Sequence, residues 1–532
     1  VIMVHYRTRS VSAVALLAAV ALALALLAVL TTAALEPEHT TAVAQSNPAE
    51  VVDACVRREM ADRGIFGAQI AVAQDGEIVF ERAYGRKHRD RPDPVDTHTQ
   101  FRIGSTTKAL TAFAIMQQVD EGTIDLDAPI TEYLEGFELA EPGQAEAITV
   151  RDLLRHTSGL HDTSAMDETD LFGPKDPEAM GRWVDEQRGS TPYAPPGRFW
   201  NYSSANYMYA GHILELAAGM SYPDYMDSHV FAPAGMADST LHAEQAVERG
   251  NFAYGHFHNP FSGQDEIYTL DDANNWARHP TGYANSTAGD LVRFASLMMA
   301  GGDGVLSEES VREMQSRQQY RDLRVDQYYG LGTFVEYFRG REMIHHDGGA
   351  WGWSATLKWI PEAGVAVATV SNIYGGVMSS STECALRAYV PPAEETPIPC
   401  RLDRDRWNDF VGTYYGSVNR GTKYTFEVTR PDPYGELHMR VLRECGATTE
   451  HVLTQDCALW TGSGEGSFQA DRLGMITFIE DPLEPNVTWL RHRFMVGRME
   501  RGDGPAPTAS PAPGPQGVLY VPRAETGAAA RP

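Results

Sequence analysis

Ser105-Thr106-Thr107-Lys108 sets a hydroxyl three residues ahead of an amine. The two open a segment, Ser105 to Asp120, in which Leu110, Phe113 and Met116 or Gln117 recur at helical spacing and which Gly122 is placed to end. Residues three apart share a helix face, so the Lys108 amine can lie beside the Ser105 hydroxyl. A hydroxyl becomes a useful nucleophile when a neighbouring base takes its proton, and a lysine does this when burial or nearby charge lowers its pKa. The amide dipoles at a helix N-terminus then face a developing oxyanion. The chain has five lysines, Lys87, Lys108, Lys175, Lys358 and Lys423, and Ser105 is the only serine three residues before one of them. Chance supplies such a pair only about 0.25 times in a chain of this kind. The plain alternative is a helix-capping serine followed by a surface lysine.

Two further segments supply groups of the right type. Trp200-Asn201-Tyr202-Ser203-Ser204-Ala205-Asn206-Tyr207 reads as a loop entering a helix, where a tyrosine can share the serine's proton or simply pack. His345-His346-Asp347-Gly348-Gly349 ends a predicted strand, and its glycines let a substrate backbone come close. As metal ligands the two histidines lack a third at standard spacing.

The order Ser-x-x-Lys, then Tyr, then His-x-Gly resembles the β-lactamase and penicillin-binding superfamily of serine hydrolases, in the class C β-lactamase-like branch that includes DD-peptidases, D-aminopeptidases and esterases. The resemblance runs over roughly 55 to 375 and takes in Phe101 to Ser105, Glu121 to Asp127, Ile148 to Leu160 and Tyr328 to Gly332. It implies that Ser105 is the acylated nucleophile, Lys108 its base and Tyr202 the proton shuttle to the leaving group. The oxyanion hole would be the backbone amides of Ser105 and Gly349. Ser204, His346 and Gly348 would face the substrate, with His346 at the third-motif position where β-lactamases usually carry lysine. No metal or other cofactor is implied. The family's second motif is usually Tyr-x-Asn, whereas Ser204 stands at its third position here. A serine lacks the amide's paired donor and acceptor, which weighs against amide and lactam substrates more than against esters. The expected activity is therefore hydrolysis of small esters or D-configured peptides. The alternatives are a β-lactamase and, from a different class, an inert binding or sensor module on the same fold.

These residues need a scaffold. Gln69 to Ala73 and Glu77 to Tyr84 flank an Asp75-Gly76 turn and read as a hairpin. Leu331 to Phe338, Glu342 to His346, Trp353 to Ile360 and Val365 to Ser371 read as four consecutive strands, while 125 to 320 shows short helices and long polar loops. Strands at both ends with helices between predict an α/β (α+β) fold, an antiparallel sheet flanked by helices with an inserted helical region. After a proline-rich linker, 391–400, the runs Phe410 to Tyr415, Tyr424 to Thr429, Leu437 to Leu442 and Ile476 to Ile479 predict a small C-terminal β-barrel-like domain over 401–501. It resembles the lipocalin-like barrels attached to some peptidases of this branch. The hydrolase domain is expected over 45–390 and a disordered Pro/Ala/Gly-rich tail over 502–532.

Composition bounds the rest. With 44 Lys+Arg against 71 Asp+Glu, the 532-residue chain carries a formal charge of −27, which repels phosphate backbones and excludes a nucleic-acid role. A small molecule or peptide is the expected partner, and no oligomeric state is read from the sequence. Arg7 and Arg9 precede an apolar run from Val11 to Leu30, and Ala42-Val43-Ala44 matches a cleavage site. Residues 1–44 therefore read as a signal peptide or an N-terminal membrane anchor, placing the protein outside the cytoplasm, secreted or anchored. Of the five cysteines, Cys384 with Cys400 and Cys445 with Cys457 are candidate disulfides leaving Cys55 over, and buried free thiols are the alternative.

Overall fold

The computed structural model describes residues 47–162, 172–259, 263–322, 327–393 and, between 404 and 500, all but 419–421, 432–435, 444–447, 455–464, 471–473, 482, 485 and 493–494. Helix α1 (Pro48–Arg63) leads into the hairpin of β1 (Gly67–Gln74) and β2 (Glu77–Gly85). Asp75 and Gly76 have φ of 51° and 88°, the positive pair that a tight two-residue hairpin turn requires. Along the chain follow β3 (Phe101–Arg102), α2 (Thr107–Asp120), α3 (Ser204–Ala218), β4 (Gly255–His258), β5 (Asp265–Tyr268), β6 (Asn285–Ser286) and α4 (Ala288–Met299). Then come β7 (Gln319–Asp322), β8 (Gln327–Tyr329), β9 (Phe334–Phe338), β10 (Arg341–Ala350), β11 (Trp353–Ile360), β12 (Val365–Ser371) and α5 (Ser379–Tyr389), with shorter helices between.

The main sheet has the order β2-β1-β12-β11-β10-β9-β8-β7 and is antiparallel throughout, so strands from the two ends of the region meet where β1 pairs β12. Every residue of β12 and all but Gln74 of β1 are buried, the pattern of strands covered on both faces. The register shows what covers them. Gln69 lies opposite Val370 and Ile70 opposite Thr369. The Gln69 amide oxygen accepts from the Ala288 N–H of α4, while the Thr369 hydroxyl meets that of Thr382 in α5 at 3.4 Å. Successive residues of a strand face opposite ways, so α4 and α5 lie on opposite faces of the sheet.

The strands of the main sheet lie where expected to within two residues except at two ends, each displaced for a local reason, and in the C-terminal region Phe410 falls in a helical turn, Arg404–Phe410, ahead of the strand expected to begin there. Leu331 to Gly332 is a turn, not strand, because Gly332 adopts φ 82° beneath α2, where a Cβ would fall 2.5 Å from Ala112 Cβ. Strand β10 continues past His346 through both glycines to Ala350, since β11 offers partners as far as Trp353. The C-terminal strands β13 (Gly412–Val418), β14 (Thr422–Thr429), β15 (Leu437–Arg443), β16 (Thr448–Thr454), β17 (Glu465–Ala470), β18 (Gly474–Glu480), β19 (Val487–His492) and β20 (Met495–Glu500) form a closed barrel. Pairing of β13 with β20, from Tyr415 opposite Arg498 to Val418 opposite Met495, seals it around Trp407, Phe410, Tyr414, Phe426, Phe468 and Phe478.

The expected Cys384–Cys400 pairing is overturned: Cys384 is bonded to Cys55, with Cα atoms 6.6 Å apart. Closeness in sequence gives way to the packing of α1 beside α5. There the buried Glu59 carboxylate accepts the Ser380 and Ser381 amides at 3.2 and 2.7 Å and so satisfies donors at the start of α5. Cys400 and the suggested Cys445–Cys457 pair lie outside the described residues, as do segments 1–44 and 502–532. Among the described residues no helix is long and apolar enough to cross a membrane.

Peptide mapping of the unreduced protein is expected to recover Cys55 linked to Cys384, and a Cys384–Cys400 pair would contradict this fold. Replacing Cys55 and Cys384 together by alanine should lower unfolding stability by about 2–4 kcal/mol, read from the urea midpoint.

Candidate active site

Ser105 sits on a single 3-10 turn, Gly104–Thr106, that feeds directly into α2. The turn is held at both flanks. Thr107 donates its hydroxyl to the Gly104 carbonyl at 2.8 Å, and Thr106 donates to the His346 carbonyl of β10 at 3.2 Å. One turn on, Lys108 is fully buried, its Nζ 3.2 Å from Ser105 Oγ and 2.6 Å from the Thr281 carbonyl. The same Nζ lies 5.0 Å from the centre of the Tyr202 ring and 5.7 Å from that of Tyr207. An amine so enclosed has fixed partners and little water, the setting in which a lysine can exchange a proton with an adjacent hydroxyl.

Tyr202 approaches from the loop before α3, and a second loop holds that one in place. The Asn201 amide donates to the His156 carbonyl at 2.8 Å, the Ser203 amide to His156 Nδ1 at 3.2 Å, and the Ser204 amide to Asp162 Oδ1 at 3.0 Å. His156 itself has φ 62°, a left-handed bend that turns its ring against Tyr202 and Tyr329, with centroids at 4.4 and 4.8 Å. Because His156 Nδ1 accepts from the Ser203 amide, the ring proton is assigned to Nε2. Tyr207 donates to the Leu154 carbonyl at 2.8 Å, and burial holds its phenol well above its ordinary pKa, so it stays neutral beside Lys108.

Strand β10 closes the other side. Strand β9 pairs with β10 only from Arg341 to His345, so from His346 to Ala350 the edge of β10 has no β9 partner. Against this stretch the Ser105 turn comes closer than any side chain permits. A Cβ on Gly104, at φ 54°, would stand 2.6 Å from Gly349 N, and one on Gly348 would stand 1.8 Å from the Ile103 carbonyl oxygen. At Gly349, by contrast, a Cβ would meet only Tyr374 Cε2, at 3.9 Å. His346 is buried, with Nδ1 2.7 Å from the Asp347 carbonyl and Nε2 3.3 Å from the Tyr329 hydroxyl. The neighbouring His345 takes different partners, stacking on Phe334 and facing Glu336 at 3.3 Å. Among the described residues no group of three or more His, Cys, Asp or Glu is placed to hold a metal ion.

The structure thus brings Ser105, Lys108, Tyr202, His346, Gly348 and Gly349 around one site, with Ser204 buried on the first turn of α3. Asn206 does not stand in for the amide that Ser204 lacks. It is fully buried, accepting from the Ser158 hydroxyl at 2.7 Å and contacting His156 Nδ1 at 3.3 Å. Sequence reasoning missed Thr281, His156, Tyr207 and Tyr329 as partners of the site. His156, Tyr207 and Tyr329 each lie within a segment that the sequence singles out, whereas Thr281 lies in none.

Alanine at Gly348 should abolish labelling by an active-site serine probe, because strand and turn must then part, while alanine at Gly349 should be tolerated in stability and retain labelling. Equal effects of the two substitutions in a labelling time course would refute this account of the packing.

The family model described as Beta-lactamase matches residues 52–387. Penicillin-binding protein 4 of Amycolatopsis lactamdurans is 31% identical over 356 residues, covering 62% of this chain and 90% of that protein. Esterase EstB of Burkholderia gladioli is 34% identical over 219 residues, 39% of this chain and 55% of the esterase. Among solved structures, the D-amino acid amidase from Ochrobactrum anthropi SV3 complexed with D-phenylalanine shares the fold, with a TM-score of 0.54 at 24% identity over 64% of this chain and 99% of that one. With more than half of its length matched by the family model and the serine beside the lysine in three dimensions, the chain belongs to the Beta-lactamase family and is a serine hydrolase.

Proposed function

We propose that the protein hydrolyses small esters or D-configured peptides through an acyl-enzyme on Ser105. The observation that carries this reading is the buried Lys108 amine 3.2 Å from the Ser105 hydroxyl. In the first step Lys108, as the neutral amine, takes the Ser105 proton while Oγ attacks the acyl carbon. The resulting oxyanion is received by the amides of Ser105 and Gly349. The bond to the leaving group breaks as Tyr202 passes it a proton that Lys108 restores, and water then cleaves the acyl-enzyme by the reverse path. Tyr329 and the Asp347 carbonyl orient His346 at the rim of this site.

The substrate class follows from what faces the acyl group. With Ser204 in place of the usual amide and Asn206 committed to Ser158 and His156, the second motif offers no carboxamide to a substrate amide. That loss costs about 1–3 kcal/mol of transition-state binding for an amide or lactam, or roughly 5- to 150-fold in rate. An ester, with its better leaving group, depends less on it. The name of an esterase among the similar proteins supports the ester choice. Export through residues 1–44 is part of the proposal, and a disulfide between Cys55 and Cys384 suits an oxidising compartment.

Ser105→Ala should remove fluorophosphonate or fluorescent-penicillin labelling and lower turnover by several orders of magnitude. A wild-type protein that no such probe labels would favour an inert binding module. On one purified sample, p-nitrophenyl esters and D-amino-acid amides or D-Ala-D-Ala peptides should be turned over faster than nitrocefin, and Ser204→Asn should raise amide or lactam turnover more than ester turnover. Nitrocefin hydrolysis matching the best ester would instead make the protein a β-lactamase.

Fractionation of expressing cells should place the protein in the medium, envelope or membrane, with Gln45 as the first residue if the leader is cleaved. A cytoplasmic protein retaining residues 1–44 would exclude export.

A further inference from the structure

The C-terminal barrel does not merely pack beside the hydrolase region: it grips the three residues that run into the Tyr202 loop. Arg198 pairs with Asp481 at 2.5 Å and with Glu484 at 3.2 Å. The Phe199 ring lies 5.4 Å from Trp489 of β19, within an apolar cluster that joins Tyr193 and Ala194 to Ile479, Val487 and Val496 of the barrel. At Trp200 the grip becomes polar. Arg491 of β19 donates from Nη1 to the Trp200 carbonyl at 2.7 Å and from Nη2 to Thr477 Oγ1 of β18 at 3.1 Å. Its guanidinium also lies 5.5 Å from the centre of the Trp200 ring. Arg491 is 6% exposed, so these contacts are made away from bulk water, where a charge-assisted bond is at its strongest.

Trp200 in turn touches the site. Its ring centre lies 6.2 Å from those of Tyr202 and His156 and 6.0 Å from that of Tyr329. The guanidinium therefore fixes both the backbone two residues before Tyr202 and the side chain against which Tyr202 packs. A planar fork anchored on two strands of a closed barrel is a rigid support, whereas residues 198–203 are an irregular segment that needs one.

We propose that Arg491 is a positioning residue for the reaction, acting through Trp200 to set the Tyr202 hydroxyl relative to Lys108 and the leaving group. This rests on the proton-shuttle reading of Tyr202. It gives the barrel a defined part in turnover, with no need for the barrel to touch substrate.

The test is a double-mutant cycle in the full-length protein, with a short-chain p-nitrophenyl ester as substrate. Arg491→Ala should lower kcat about 10- to 100-fold, the cost of a misplaced proton donor, with KM changed less than about threefold. In the Tyr202→Phe background the same substitution should have no further effect on kcat, because the group it positions is gone. Arg491→Lys keeps the charge by the Trp200 ring but has no fork to span the Trp200 carbonyl and the Thr477 hydroxyl, so it should fall between wild type and Arg491→Ala. Should Arg491→Ala fail to fold, the lysine variant serves in the cycle. Wild-type kcat in Arg491→Ala, a loss confined to KM, or a loss that multiplies with that of Tyr202→Phe would each overturn the proposal. Wild-type turnover by Tyr202→Phe alone would instead remove the reading of Tyr202 on which it stands, a result visible before any arginine variant is compared.

Discussion

No side chain fits between the turn that carries Ser105 and strand β10, and most of the site's geometry descends from that constraint. The turn and the strand touch backbone to backbone at Gly104, Gly348 and Gly349. The Thr106 hydroxyl locks the same contact by bonding the His346 carbonyl. The oxyanion hole proposed for the Ser105 and Gly349 amides requires this closeness, because two amides from separate elements must point at one oxygen. Beside this contact β10 keeps an edge free of β9 beyond His345, and the chain bends left-handed at Gly332 where it passes beneath α2.

The next constraint is the burial of Lys108. An amine buried in the interior is costly unless fixed partners replace its water. Here the Thr281 carbonyl, the Ser105 hydroxyl and the faces of two tyrosines do so. This explains why α2 is buried along twelve of its fourteen residues. It must sit at the centre of the fold to hold the lysine, so the sheet, α3 and the segment around Thr281 all close on it. Helix α2 is thus a core helix that carries its chemistry at its N-terminus, where the amide dipoles face the cleft.

Legibility in the sequence followed the range of the interactions. The Asp75-Gly76 turn and strands β11 and β12 were readable to the residue, because a local turn signal or an apolar run determines each, while the hairpin strands run on to Gly67 and Gly85. The nucleophile and its lysine were readable because a helix brings i and i+3 together without help from the rest of the chain. What failed needed tertiary knowledge. Cys384 bonds a residue 329 positions away, the Lys108 amine is held by a carbonyl with no sequence signature, and β7, β8 and half of the barrel strands are short pieces whose partners define them. The role of Asn206 was half legible. It stands two residues past the motif position in the sequence, and only the structure shows it committed to Ser158 and His156.

The groups to which the proposed function gives a part in the reaction come from three elements, and backbone contacts fix each of them. Ser105 depends on the glycine contact, Tyr202 on amides bonded to His156 and Asp162 and on a carbonyl bonded to Arg491, and Gly349 on its register with Ser354 in β11. Backbone anchoring of this kind leaves the side chains that face a substrate free to vary without moving the reacting atoms. Ser204 shows the consequence: its amide still bonds Asp162 and its place on α3 is kept, although the carboxamide usual at that position is absent. In the proposed function, a change of that kind alters which acyl groups are held while leaving the proton path from Ser105 to Lys108 intact. On that proposal, substrate choice and chemical competence are therefore carried by different elements, Ser204 at the start of α3 and the Ser105–Lys108 pair at the start of α2, which is a physical reason why one fold can serve penicillin-binding proteins, esterases and amidases alike.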